Sequence, residues 1–226
     1  TIVMLSIATI IGFGAPVIVY HILFDKPLEV KSLFAKPKKI LWFFIGIAMW
    51  FASIPLVEMF SDNSIDPVLL EMFSDTTPLK VVGIIIGVAI LPAVFEEWFF
   101  RGILQKELVK IFHNNYISII VTAAIFSLIH LDMSNFLARF VLGLLLGLLF
   151  FYSKSLWVNI FVHFLNNFMA ILSILLASKE DLASNTDFFD SSTYAIISAI
   201  IFAVFIFLSE RYRQKSLIQT EKQNSL

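Results

Sequence analysis

Residues 79–102 read LKVVGIIIGVAILPAVFEEWFFRG. A bilayer-spanning helix needs about 20 mostly apolar residues, and this stretch supplies them. It also carries two adjacent carboxylates, Glu96 and Glu97, with Arg101 four residues after the second. A charge at the centre of a spanning helix costs about 2.5–3.5 kcal/mol even on the lenient insertion scales, so an ionisable group kept there is a functional candidate. Two further apolar stretches carry polar groups of their own. One holds His130; the other holds His163, Asn166 and Asn167.

The rest of the chain fits a membrane solvent. Of 226 residues, 59% are hydrophobic, 25 are phenylalanine and only 15% are charged, with a mean hydropathy of +0.89. A soluble domain cannot cover that much apolar surface, so lipid must. The net charge of −1 offers no basic patch for nucleic acid. Cysteine is absent, which excludes disulfides, thiolate metal sites and thiol nucleophiles. The first apolar stretch lacks a basic flank and a small-residue cleavage site, so it reads as a span and not as a signal peptide.

Seven candidate spans follow, at about 2–24, 40–60, 79–100, 116–131, 136–152, 156–177 and 192–209. The fourth is short for a full crossing. The expected fold is an all-α polytopic bundle forming a single domain over 1–226. Its core of four helices, about 79–177, carries the polar candidates. A polar tail at 211–226 is expected to fray.

The loops alternate in charge. Residues 25–39 hold Lys26, Lys31, Lys36, Lys38 and Lys39, and residues 101–115 hold Arg101, Lys106 and Lys110. Lys154 marks another turn, and Arg211, Arg213, Lys215 and Lys222 mark the tail. Acidic stretches lie between them: Asp62, Asp66, Glu71 and Asp75, then Glu180, Asp181, Asp187 and Asp190. The positive-inside rule then puts the N-terminus outside and the C-terminus in the cytoplasm. Glu-Met-Phe-Ser-Asp occurs at 58–62 and again at 71–75, a local duplication or a coincidence, with 66–74 expected as a short helix on the membrane surface. Gly83/Gly87 and Gly143/Gly147 are small pairs four apart, read as ordinary close helix packing.

The polar groups are placed to meet. If the helix carrying Glu96 continues to about Phe112, with a bend allowed at Pro92, the turn falls near Asn114. Glu96 and His130 then lie about 27 and 24 Å from that turn on antiparallel helices. His163 and Asn167 share a helix face, as do Glu97 and Arg101. Glu96 points about 100° away from Glu97, so the two carboxylates need not share a task. Untilted rods leave His163 and His130 at different depths, a gap that tilt, a recessed turn or a water-filled cavity would close.

Three motifs carry a family resemblance. Glu96-Glu97-Trp98-Phe99-Phe100-Arg101 resembles the Glu-Glu-x-x-x-Arg motif of the CAAX-protease and bacteriocin-processing family. Phe126 to His130 resembles its Phe-x-x-x-His motif, and His163 to Asn167 its His-x-x-x-Asn motif. Arg139-Phe-Val-Leu-Gly143 through Ser155-Leu-Trp157 is also similar, and the likeness covers about 80–175. The resemblance implies an intramembrane endopeptidase of the glutamate type, without a cofactor, acting on a membrane-associated protein or peptide within the lipid bilayer. It gives Glu96 the task of activating water and His130 that of holding or deprotonating it. His163 and Asn167 would stabilise the oxyanion, and Glu97 with Arg101 would orient the site or a substrate carboxylate. The family's substrates vary, so a prenylated substrate is not implied. A bacterial plasma membrane is the expected location.

The residues are independently compatible with direct attack by water, since no Ser-His-Asp arrangement is evident and cysteine is absent. Two alternatives stand beside this. One is a zinc protease using His130, His163 and a glutamate, although the His-Glu-x-x-His pair is missing. The other is a non-catalytic membrane protein such as a bacteriocin immunity factor, a transporter subunit or a scaffold. His21 and His113 lie at helix ends and read as interfacial.

The orientation is open to a direct test. A single cysteine introduced at position 187 of this cysteine-free chain should be labelled by a membrane-impermeant reagent only from outside. Labelling only from the cytoplasmic side would reverse the topology and the side of substrate entry.

Overall fold

The computed structural model describes residues 2–24, 40–62, 72–73, 77–176 and 191–224. In lipid every backbone N–H and C=O must find a partner within the protein, and helices achieve that segment by segment. The described residues accordingly form seven helices. These are α1 (Ile2–Leu23), α2 (Leu41–Met59), α3 (Pro78–Phe112), α4 (Asn115–Leu128), α5 (Phe136–Ser153), α6 (Leu156–Leu176) and α7 (Ser191–Asn224). Six have the length and hydropathy to cross a bilayer; α4, at 14 residues, is the short seventh. The basic segment 25–39, the acidic segment 177–190 and most of 66–74 lie outside the described residues.

Two expectations are corrected. Residues 101–112 are helical and not a loop, and Arg101 is 0% exposed inside the protein. An arginine four residues after a buried glutamate is drawn to it, not to the membrane surface. The polar tail is helical through Asn224 instead of frayed. Its first turn is held by Arg213, which pairs with Glu210 at 2.5 Å, and the residues beyond are mostly good helix formers such as Gln, Lys and Glu.

The long helix α3 survives Pro92 by widening. Residues 85–90 and 98–104 are wound as π turns, and Leu91 N–H donates five residues back to Ile86 O. Proline has no N–H, so the carbonyl of Val88 loses its ordinary partner four residues on. Such π turns are frequent at functional sites; here they flank Glu96 and Glu97. The helix ends at His113 in the left-handed conformation (φ 51°). Asn114 then caps α4 by accepting from Tyr116 N–H at 2.9 Å and Ile117 N–H at 3.1 Å. The turn falls where the sequence puts it.

Helix α5 is the centre of the bundle. Of its apolar window 67% is buried, against 33% or less for the other spans. Leu142, Leu145, Leu146 and Leu149 pack there against Met49 and Trp50 of α2 and Val162 of α6. The outer helices expose apolar side chains such as Ile11, Phe44 and Phe207, the surface that lipid covers. Ser198 on α7 donates to Ala52 O on α2, fastening the last span to the second.

The small residues set the spacing. A Cβ on Gly143 would stand 3.0 Å from the Cα and Cβ of Ala123 on α4, and one on Gly147 would stand 2.8 Å from Ile119 Cγ2. Close approach of α4 to α5 therefore depends on these two positions. Gly83 differs, because its added Cβ would meet only Ile2 Cγ2, at 4.0 Å. Gly143→Ala should lower the thermal midpoint in detergent, at a cost of about 1–3 kcal/mol. Gly83→Ala should leave it unchanged or raise it, since a helix-interior glycine costs about 1 kcal/mol relative to alanine. Equal effects of the two substitutions would contradict this packing.

Candidate active site

Glu97 and Arg101 form the buried base of the site. Both side chains are 0% exposed, and Arg101 Nη1 donates to Glu97 Oε1 at 2.7 Å. Arg101 Nη2 donates to Gly143 O at 3.0 Å, and its guanidinium lies 5.0 Å from the centre of the Phe126 ring. Gln105, one turn on, repeats the pattern with Gly147 O at 3.2 Å. One face of α3 is thus tied to successive carbonyls of α5, and at Gly147 an added Cβ would stand 3.2 Å from Gln105 Oε1.

Helix α6 completes the base. His163 Nδ1 is 2.9 Å from Glu97 Oε1. A carboxylate that already pairs with arginine only accepts, so Nδ1 carries the proton and donates. The other ring nitrogen, Nε2, is then aimed at Glu96, 3.9 Å from its Oε2. Glu96 is 7% exposed, and its Oε2 accepts no hydrogen bond among the described residues. The two adjacent glutamates are therefore unlike. Glu97 is fully engaged; Glu96 has a free oxygen.

Glu96 and His163 open onto a cavity of about 390 Å³. His130, Arg139, Asn166, Asn167 and Phe126 share its wall, and Leu142, Ala170, Ile171 and Ile174 line the apolar remainder. Glu97 and Arg101 do not border it. Of the two tasks expected of that pair, orienting the site is the one open to it, since a fully buried guanidinium does not reach a substrate carboxylate.

His130 lies past the end of α4, in the turn after Leu128. Its Nδ1 is 2.7 Å from Phe126 O. A carbonyl only accepts, so Nδ1 donates and Nε2 is left as a lone pair. The depth gap expected between His130 and His163 is closed by the short helix. Both rings flank Phe126, with centroids 5.1 and 5.9 Å from it. The turn is fixed by Asp132, which accepts from Ser134 Oγ at 2.6 Å, Asn135 Nδ2 at 2.9 Å and Arg139 Nη2 at 2.8 Å. Those donors hold its carboxyl well below the usual carboxylate range.

The two asparagines are oriented by a chain of donors. Trp50 Nε1 donates to Asn166 Oδ1 at 3.1 Å, and Asn166 Nδ2 to Asn167 Oδ1 at 3.3 Å. Asn167 Nδ2 then donates to Val88 O at 3.3 Å, the carbonyl that Pro92 deprives of its helical partner. An indole nitrogen only donates, so it fixes the first amide and each amide fixes the next. Asn167 retains one N–H for another acceptor.

All six residues picked out by sequence (Glu96, Glu97, Arg101, His130, His163 and Asn167) therefore meet at or directly behind one cavity. Sequence reasoning missed Asn159, fully buried on α6, whose Nδ2 donates to Glu97 Oε2 at 3.2 Å and to Leu146 O at 2.6 Å. Its signal was the spacing: Asn159, His163 and Asn167 recur every four residues on one helix face. It also missed Trp50 and the role of Arg139 in the turn. No three His, Asp or Glu side chains are grouped as metal ligands among the described residues.

Comparison with known proteins agrees with this arrangement. The family model described as Type II CAAX prenyl endopeptidase Rce1-like matches residues 78–169, the stretch from the start of α3 into α6 that carries all three motifs. The membrane-embedded CAAX protease MroQ of Staphylococcus aureus (strain USA300) is 24% identical over 172 residues, which cover 71% of this chain and 69% of that protein. No solved structure matches. The stretch from α3 into α6 is thus similar to the CAAX protease family, and that likeness, met in a bundle with six helices long and apolar enough to cross a bilayer, supports an integral membrane protease.

Proposed function

We propose that the protein hydrolyses a peptide bond of a membrane-associated protein or peptide with a water activated by Glu96. The observation that carries this reading is that Glu96 lines the cavity while its buried Oε2, 3.9 Å from His163 Nε2, has no hydrogen-bond partner among the described residues. A carboxylate with an unused oxygen, shielded from bulk water and bordering a cavity, is suited to take a proton from a water held there.

The hydrogen-bond pattern supports the division of labour. His163 donates through Nδ1 to Glu97 and, when its second ring nitrogen also carries a proton, through Nε2 into the cavity. His130 Nε2, an acceptor, holds the water's second hydrogen.

Glu96 takes one proton from the water as its oxygen forms a bond to the scissile carbonyl carbon. Negative charge moves to the carbonyl oxygen, where His163 Nε2–H and the spare N–H of Asn167 receive it. Donors preset for such an oxyanion are commonly worth about 3–4 kcal/mol each. The tetrahedral centre then collapses, the C–N bond breaks, and the proton on Glu96 passes to the leaving nitrogen. A carboxylate and an amine result. The apolar wall of Leu142, Ala170, Ile171 and Ile174 favours an aliphatic or lipid-like group beside the cleaved bond. No metal enters this scheme, and the chain is taken to lie with its N-terminus outside and its C-terminus in the cytoplasm.

The test is cleavage of a panel of membrane-associated peptides by detergent-purified protein at matched folded amounts. Glu96→Gln should lower turnover by orders of magnitude while the thermal midpoint holds. Asn167→Ala should lower kcat more than it raises KM, because the oxyanion exists only during reaction. Asn166→Ala should act more weakly, by loosening Asn167. A strong chelator should leave wild-type activity intact. Full activity in Glu96→Gln would end the proposal, and stoichiometric zinc whose removal and return switch activity would replace it with the metal scheme.

A further inference from the structure

Asn159 stands outside the motifs and holds an unusual position. Its amide cannot be flipped, because both of its partners, Glu97 Oε2 and Leu146 O, only accept. Glu97 Oε1, meanwhile, is shared between Arg101 Nη1 at 2.7 Å and His163 Nδ1 at 2.9 Å. Asn159 is the one donor to Oε2 among the described residues.

Arginine and carboxylate tend to pair through two parallel hydrogen bonds, the fork meeting both oxygens. That arrangement is not taken here. Arg101 Nε is buried without a partner among the described residues, and Nη2 is spent on Gly143 O. Nε–H lies on the side of the guanidinium away from Nη1, so it cannot join Nη1 in a fork on Glu97, and Glu97 Oε2 needs a donor from elsewhere. Asn159, one helical turn before His163 and 0% exposed, supplies it.

We propose that Asn159 is a positioning residue: by holding Oε2 it fixes the plane of the Glu97 carboxylate, so that Oε1 stays on His163 Nδ1 and the ring keeps Nε2 aimed at Glu96. The catalytic consequence rests on the roles given above to Glu96 and His163. The structural consequence does not. Without Asn159, Oε2 becomes a buried carboxylate oxygen with no donor, and the carboxylate turns to find one. His163 then loses its anchor and its ring is free to turn.

The experiment reads the ring and the reaction separately. Full-length protein carrying 15N-histidine is prepared in detergent, and the His163 resonances are assigned by their loss in His163→Gln. Asn159→Leu keeps most of the volume and removes the donor; Asn159→Ala serves if the leucine variant does not fold. In wild type the Nδ1–H resonance should lie far downfield, as for a hydrogen bond to a carboxylate. In the Asn159 variant it should lose that position. On the peptide that wild type cleaves best, kcat should fall roughly ten- to a hundredfold with KM changed less than about twofold. If Asn159 merely tied α6 to Leu146 O, stability would drop and the resonance would stay. An unmoved resonance overturns the proposal whatever the activity does. A lost resonance with full kcat leaves the positioning intact and overturns the part given to His163 in catalysis.

Discussion

A carboxylate and a guanidinium, both fully out of reach of solvent, face each other at 2.7 Å in the middle of a lipid-covered bundle. Taking two ions out of water costs several kcal/mol each, and their attraction repays that only when geometry is good and the leftover donors and acceptors are satisfied. The Glu97–Arg101 pair meets that condition at every polar atom but Arg101 Nε, by drawing on three other places. Gly143 O takes a second arginine hydrogen, and Asn159 and His163 both bond to the glutamate. Helices α3, α5 and α6 are thereby fixed to one another at a single point. The glycines of α5 act beside it, letting α4 pack closely against the same helix.

The same demand explains why the neighbouring glutamate differs. Once Glu97 has taken Arg101, His163 and Asn159, Glu96, which lines the cavity, is left with one oxygen unpaired among the described residues. Adjacent residues on a helix diverge by about 100°, so one can serve the interior and the other the cavity. Pro92 adds to this. Its missing N–H frees the Val88 carbonyl, which is where Asn167 is tied. Buried polar contacts in this protein are thus linked: each one made for stability sets the direction of a group that borders the cavity.

Much of this was legible in the sequence. Lipid as solvent leaves helices as the only economical answer for long apolar segments, so seven segments and a bundle follow from hydropathy. Spacings of four gave the pairs within one helix, Glu97 with Arg101 and His163 with Asn167. Contacts between helices were less visible. Asn159 sits in an apolar run, and nothing in its own helix reveals that a glutamate 62 positions earlier needs a donor. Arg101 was counted with Lys106 and Lys110 as part of a basic loop, because charge composition does not distinguish a surface cation from a buried one. Which of tilt, a recessed turn or a cavity closes the gap between His130 and His163 was not legible either. The short α4 ends in a turn, stapled by Asp132, that places His130 on the cavity wall with His163.

If the buried pair is what the site is built on, its two halves should be worth little apart. The direct measurement is the thermal midpoint, in one detergent, of Arg101→Leu and of the double variant Arg101→Leu with Glu97→Leu. Removing the arginine alone strands a buried carboxylate and should destabilise the protein by about 3–5 kcal/mol, whereas replacing both ions with apolar side chains should recover most of that loss. The recovered protein should remain inactive, since His163 has no carboxylate to hold it. An Arg101→Leu protein as stable as wild type, or a double variant that still cleaves, would contradict the account.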